Sequence, residues 1–158
     1  MNLIPKCNGP VSVTKDFCKV ALPLAYSGEC ACAGLFPLKA EEPALLRFEK
    51  ETSLPAEGYA LRVEPEEIVL SHADEHGAFY GLQTLFQLLE EGENTLPCGT
   101  YQDAPRYGYR GFMLDVCRHF FPVEELKKVL DQMARLKLNT FHWHLSEDQG
   151  FRFESKKF

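Results

Sequence analysis

The stretch from residue 110 to residue 145 constrains the fold most. Arg110-Gly111-Phe112-Met113-Leu114-Asp115-Val116 is an apolar run with polar ends, the pattern of a buried strand. Pro122 suits the first turn of a helix, Glu124 and Glu125 complement its positive end, and Arg135 and Lys137 sit at its negative end. Between them Val123, Leu126, Val129, Leu130, Met133 and Leu136 recur as one apolar stripe. Thr140-Phe141-His142-Trp143-His144-Leu145 then reads as a second strand. Strand, helix, strand over this distance predicts a parallel pair joined by a crossover helix, right-handed by default. At 158 residues the chain is shorter than the roughly 200 that a (β/α)₈ barrel needs, so a barrel can be present only in part.

The preceding sequence has a different character. Residues 1–108 carry 8 basic and 16 acidic side chains, whereas residues 109–158 carry 9 and 7, so the charge changes sign near Tyr109. Leu96-Pro97-Cys98-Gly99 and Ala104-Pro105 read as turn signals of a linker just before that point. Two units are therefore expected, 1–108 and 109–158. In the first, Ala44–Glu49 alternates like a strand, and Tyr59–Val63 and Glu67–Ser71 fit a hairpin around Glu64-Pro65-Glu66. Val11–Thr14 and Val20–Leu22 are weaker strand candidates. A helix follows, with Asp74 as N-cap, Ala78, Leu82, Leu85, Phe86 and Leu89 on one face, and Gly92 at its end. The expectation is an α+β domain, a sheet with helix on one face, followed by the first β-α-β of a barrel.

Composition excludes some functions. The net charge of −6 argues against nucleic acid or anionic lipid as the main partner, and no run of eighteen apolar residues is present to span a membrane. Met1 to Pro10 lacks the apolar core of a secretory signal, so a cytoplasmic protein is expected. In that compartment Cys7, Cys18, Cys30, Cys32, Cys98 and Cys117 read as free thiols. Cys30-Ala31-Cys32 has no second ligand pair nearby in sequence, so neither a metal nor another cofactor is expected.

Polar residues gather directly after each strand of the second unit: Arg118 and His119 after the first, Glu147, Asp148 and Gln149 after the second. Parallel strands place both positions at one sheet edge, where α/β proteins build their sites, so Arg118, Glu147 and Asp148 can converge on one ligand. A structural ion-pair cluster explains the same residues equally well. Arg110 begins its strand and belongs at the opposite edge. His142 and His144 share a strand face and read as structural rather than as metal ligands, because no third ligand is evident. Cys117 lacks the partners of a cysteine nucleophile.

With those motifs in view, residues 109–158, YRGFMLDVCRHFFPVEELKKVLDQMARLKLNTFHWHLSEDQGFRFESKKF, resemble the opening of the catalytic barrel of glycoside hydrolase family 20 β-N-acetylhexosaminidases. Ala73 to Leu88, ADEHGAFYGLQTLFQL, resembles the helix of the α+β domain that precedes that barrel. The resemblance implies removal of terminal N-acetylglucosamine or N-acetylgalactosamine from glycans with retention of configuration. In that family the substrate's own acetamido oxygen attacks the anomeric carbon. It implies that Arg118 is the arginine that grips sugar hydroxyls, and that Asp148 supports that arginine. Glu147 would stand at a neighbouring acidic position, and His144 at a structural one. The family's acid and acetamide-orienting pair lies later in its barrel, so no catalytic acid is expected in this chain. The alternative is a non-catalytic accessory or interaction domain.

Overall fold

The structure is a computed structural model that describes residues 3–157. It divides into two compact units, Met1–Arg106 and Tyr107–Phe158.

The first unit is a seven-stranded mixed sheet with a helix packed on it. In chain order its strands are β1 (Val11–Lys19), β2 (Leu24–Ser27), β3 (Leu38–Ala40), β4 (Leu46–Lys50), β5 (Tyr59–Val63), β6 (Ile68–His72) and β7 (Thr95–Asp103), and α1 spans Glu75–Glu91. The sheet order is β1-β7-β5-β6-β4-β2-β3. The expected hairpin forms in register, Tyr59 opposite His72 and Val63 opposite Ile68. β4 lies parallel to β6 on its other side. α1 packs on β5, β6 and β7, so Ala78, Leu82, Leu85 and Leu88 bury themselves against Leu61, Leu70 and Tyr101. Phe86, placed on the same stripe, is only partly buried and stacks on Phe36 with 5.3 Å between ring centroids.

Two expectations fail in this unit. Leu96-Pro97-Cys98-Gly99 is no linker but part of β7, paired with β1 on one side and β5 on the other. A proline inside a central strand is tolerated at an irregularity of the ladder, and the β1–β7 register shifts between Val13 and Phe17, opposite Gly99 and Pro97. Gly99 is required at this crossing, since a Cβ there would meet the Ser12 carbonyl oxygen at 2.0 Å. Val20–Leu22 is likewise not a strand, and β2 starts at Leu24.

Asp74 caps α1 as expected, accepting a hydrogen bond from the Gly77 N–H at 2.9 Å, and its other oxygen accepts from the Glu57 N–H at 2.8 Å. Partial desolvation raises the pKa of this carboxyl, but the two backbone donors outweigh it and hold the group below its ordinary value. The folded state thus binds this proton less readily than the unfolded chain. The cap's contribution is complete above the ordinary aspartate pKa of about 4 and is lost as pH falls through the lowered folded value. Asp74→Ala should cost about 1 kcal/mol at neutral pH. Denaturant titrations at pH 7 and pH 3 check this, with a smaller gap between variant and parent expected at the lower pH.

The second unit contains β8 (Gly111–Asp115), α2 (Val123–Arg135), β9 (Thr140–His144) and a short antiparallel pair, β10 (Ser146–Glu147) with β11 (Gly150–Phe151). β8 and β9 run parallel, Gly111 opposite Thr140 and Asp115 opposite His144, as the strand, helix, strand pattern requires. α2 follows Pro122 and carries Glu124–Lys127 and Glu125–Lys128 ion pairs on its solvent face. Of its apolar stripe, Leu126 and Met133 are buried, while Val123, Leu130 and Leu136 remain exposed. No described helix in either unit is long and apolar enough to cross a membrane.

Candidate functional site

β8 ends on Asp115 and β9 ends on His144, and the parallel register sets these residues side by side. The chain then leaves β8 in a turn that Asp115 itself organises: its Oδ1 accepts from the N–H groups of Cys117 at 2.9 Å and Arg118 at 3.1 Å. The turn brings the Arg118 guanidinium back over the strand end, where Nη1 donates to Asp115 Oδ2 at 2.7 Å. From the far side, Nη2 meets Glu147 Oε2 at 2.8 Å and Nε donates to Gln149 Oε1 at 3.2 Å. His144 lies between the two acids, Nδ1 3.6 Å from Asp115 and Nε2 3.5 Å from Glu147.

The Arg118 N–H, the Cys117 N–H and the Arg118 charge hold the Asp115 carboxyl below its ordinary pKa, so it stays an acceptor. Arg118 donates two of the five N–H groups of its planar fork in hydrogen bonds to Gln149 and Asp115, and its Nη2 forms an ion pair with Glu147. The side chain nonetheless remains 57% exposed at the carboxyl ends of two parallel strands. Such a fork suits vicinal hydroxyls or a carboxylate.

The turn is braced from below. Arg152 donates from Nε to the Val116 carbonyl at 2.8 Å and from Nη2 to the Cys117 carbonyl at 3.0 Å, and its guanidinium lies over the Phe120 ring. Gly150 lets this segment approach, because a Cβ there would meet the Cys117 carbonyl oxygen at 2.7 Å. Cys117 is buried, its thiol donates to the His144 carbonyl at 3.4 Å, and burial pushes its pKa up, so it is a packing group rather than a nucleophile.

Of the residues singled out in the sequence, the structure brings together Arg118, Glu147, Gln149 and His144. Asp148 does not join them: its backbone N–H donates to Glu147 Oε1 at 3.2 Å, and its exposed carboxylate makes no ion pair with Arg118 among the described residues. Glu147 occupies the bracing place that the resemblance gave to Asp148, because the β10–β11 turn directs the first acid of the pair inward and leaves the second at the tip. His119 also stands apart, edge-on to Phe121. Asp115 was missed. Its only signal was a lone acid at the carboxyl end of an apolar strand. Arg110 lies at the other end of the same strands, Nε donating to the Lys137 carbonyl at 2.8 Å and its backbone bonded to Asn139.

The chain is similar to known proteins throughout this region and the sheet domain before it. Residues 27–104 match Glycosyl hydrolase family 20, domain 2, and residues 107–158 match Glycosyl hydrolase family 20, catalytic domain. A β-hexosaminidase of Porphyromonas gingivalis is 50% identical over 131 residues, which is 75% of this chain and 17% of that protein. One from Vibrio furnissii is 34% identical over 99% of this chain and 28% of its own length. The solved β-N-acetylhexosaminidase of Bacteroides fragilis superposes with a TM-score of 0.84 at 33% identity, covering 94% of this chain and 34% of that one. The family 20 exo-β-N-acetylglucosaminidase of Vibrio harveyi, solved in complex with N-acetylglucosamine, gives 0.83 at 32% identity, covering 98% and 27%. The chain therefore spans less than a third of the length of these curated relatives. A sheet domain matching the family's second domain, followed by a β-α-β unit matching the start of its catalytic domain, carries one conclusion: the chain belongs to glycosyl hydrolase family 20.

Proposed function

We propose that this chain forms the amino-terminal part of a β-N-acetylhexosaminidase that removes terminal N-acetylglucosamine or N-acetylgalactosamine from glycans by retaining, substrate-assisted catalysis. One observation carries the reading: Arg118 is held by Asp115, Glu147 and Gln149 at the strand ends while its side chain stays 57% exposed. A guanidinium fixed on three sides pays little entropy to bind, and its exposed fork can take a pair of sugar hydroxyls. In this reading Asp115, Glu147 and His144 position the arginine, while the general acid and the acetamide-orienting group come from barrel segments beyond these residues. Residence in the cytoplasm, a reducing compartment, belongs to the same proposal.

The test is complementation. The purified 158-residue chain should release no measurable aglycone from an aryl N-acetylglucosaminide, because a missing general acid alone removes about 10²- to 10⁴-fold in rate. A chimera in which this chain replaces the matching part of the Porphyromonas gingivalis β-hexosaminidase should hydrolyse that substrate. Turnover by the isolated chain, or a folded but inactive chimera, would overturn the assignment.

A further inference from the structure

We propose that Cys30, Cys32 and Glu75 form a binding site for a thiophilic divalent cation, with Zn²⁺ as the representative ion; the inference concerns the sheet domain and does not depend on the glycosidase reading. The two sulfurs lie 3.4 Å apart, and both sulfurs and a Glu75 carboxylate oxygen fall within 4.8 Å of one another. Three potential anionic ligands thus converge from parts of the chain more than forty residues apart.

The backbone builds this arrangement. Cys30-Ala31-Cys32 turns into a short 3₁₀ helix, Ala33–Leu35, with the Ala33 N–H donating to the Cys30 carbonyl at 3.2 Å and the Leu35 N–H to the Cys32 carbonyl at 3.0 Å. That turn points both thiols to one side. Glu75 opens α1 directly after the Asp74 cap, and its Oε2 accepts from the Ala31 N–H at 3.1 Å, which tethers the carboxylate beside the pair. Phe36, just past the 3₁₀ helix, packs on Phe79 and Phe86 and fixes the loop against α1. The thiols are half-buried and the carboxylate is exposed, so the site has two soft ligands in a protected wall and an open side for entry and for a water ligand.

The dimensions suit a small tetrahedral ion. With Zn–S bonds of about 2.3 Å, tetrahedral ligation puts two sulfurs about 3.8 Å apart, so the pair need open by only about 0.4 Å. Without an ion the two sulfurs share a hydrogen bond, and the Glu75 carboxylate lies beside them. A dication replaces that shared proton between the sulfurs and takes the carboxylate as a third ligand. Binding forms two Zn–S bonds and one Zn–O bond, releases both thiol protons to water, displaces hydration waters from the ion and involves no change of oxidation state.

The test uses the 158-residue chain kept reduced with a phosphine and titrated with Co²⁺ as a coloured probe. The expected result is one Co²⁺ per chain with an intense thiolate-to-cobalt charge-transfer band, erased by one equivalent of Zn²⁺. Cys30→Ser or Cys32→Ser should weaken binding roughly a hundredfold, and Glu75→Gln about tenfold, whereas Cys7→Ser should leave it unchanged. Circular dichroism establishes that each variant is folded. Should a cysteine variant not fold, Zn²⁺ protection of Cys30 and Cys32 from alkylation in the unmodified chain, mapped by peptide mass, decides instead. Absence of the charge-transfer band, its persistence when both cysteines are replaced, or alkylation unaffected by Zn²⁺ each overturns the proposal.

Discussion

Arg118→Ala, introduced into the active chimera, should lower kcat/KM by roughly 10- to 150-fold, the equivalent of about 1.5–3 kcal/mol for a lost charged hydrogen-bond donor. The reason lies in where the side chain is held. Asp115, Glu147 and Gln149 fix the guanidinium at the carboxyl ends of β8 and β9, so its removal takes away the exposed fork and leaves Asp115 and Glu147 without their shared cation. Arg118→Lys should rescue little, since an ammonium cannot reproduce the planar fork that three partners grip. The matched control is Arg110→Ala. Arg110 ties the starts of β8 and β9 together through the Lys137 and Tyr107 carbonyls, far from the strand ends that hold Arg118. It should lower the thermal midpoint while leaving kcat/KM of the folded enzyme near the parent value. Kinetics and thermal melts on both variants decide, and an active Arg118→Ala beside an inactive but stable Arg110→Ala would reverse the assignment of the two ends.

The second large effect is a gap in stability between the units of the isolated chain. Backbone amides from Phe112 to Val116 should exchange with solvent at least about a hundredfold faster than those from Tyr59 to Val63. β5 is paired on both sides, with β6 and β7, and its Tyr59, Leu61 and Val63 side chains are almost fully buried. Opening it requires disrupting the sheet and the α1 face together. β8 pairs only with β9 among the described residues, and Phe112 and Met113 on it are 43% and 50% exposed. A two-stranded ladder with so little covered apolar surface opens locally, because few contacts oppose the conformational entropy regained. The exposed members of the α2 stripe, Val123, Leu130 and Leu136, contribute to the same weakness. Equal protection in the two strands, measured by hydrogen exchange with NMR detection, would show that the β-α-β unit is self-sufficient.

Elements governed by their own neighbours were legible in the sequence. The hairpin of β5 and β6, α1 with its Asp74 cap, and the strand, helix, strand order of residues 111–144 all follow from side-chain period, capping chemistry and turn residues that act within a few positions. The same short-range logic put Arg118 and Glu147 at one sheet edge, since parallel strands leave their carboxyl ends together. Tertiary structure alone decided the rest. Pro97 and Gly99 carry local signals for a break, yet pairing with β1 and β5 and an irregular register absorb them into a strand. Which acid of Glu147-Asp148 turns inward depends on the β10–β11 turn, and the bracing of Arg118 by Asp115 depends on a turn closed by two backbone N–H groups donating to the Asp115 carboxylate. Glu75 reaches Cys30 and Cys32 only because α1 begins beside the 3₁₀ loop. Periodicity and capping act along the chain and can be read from it, whereas strand partners and charge clusters form between segments distant in sequence, where only the packed fold sets what meets what.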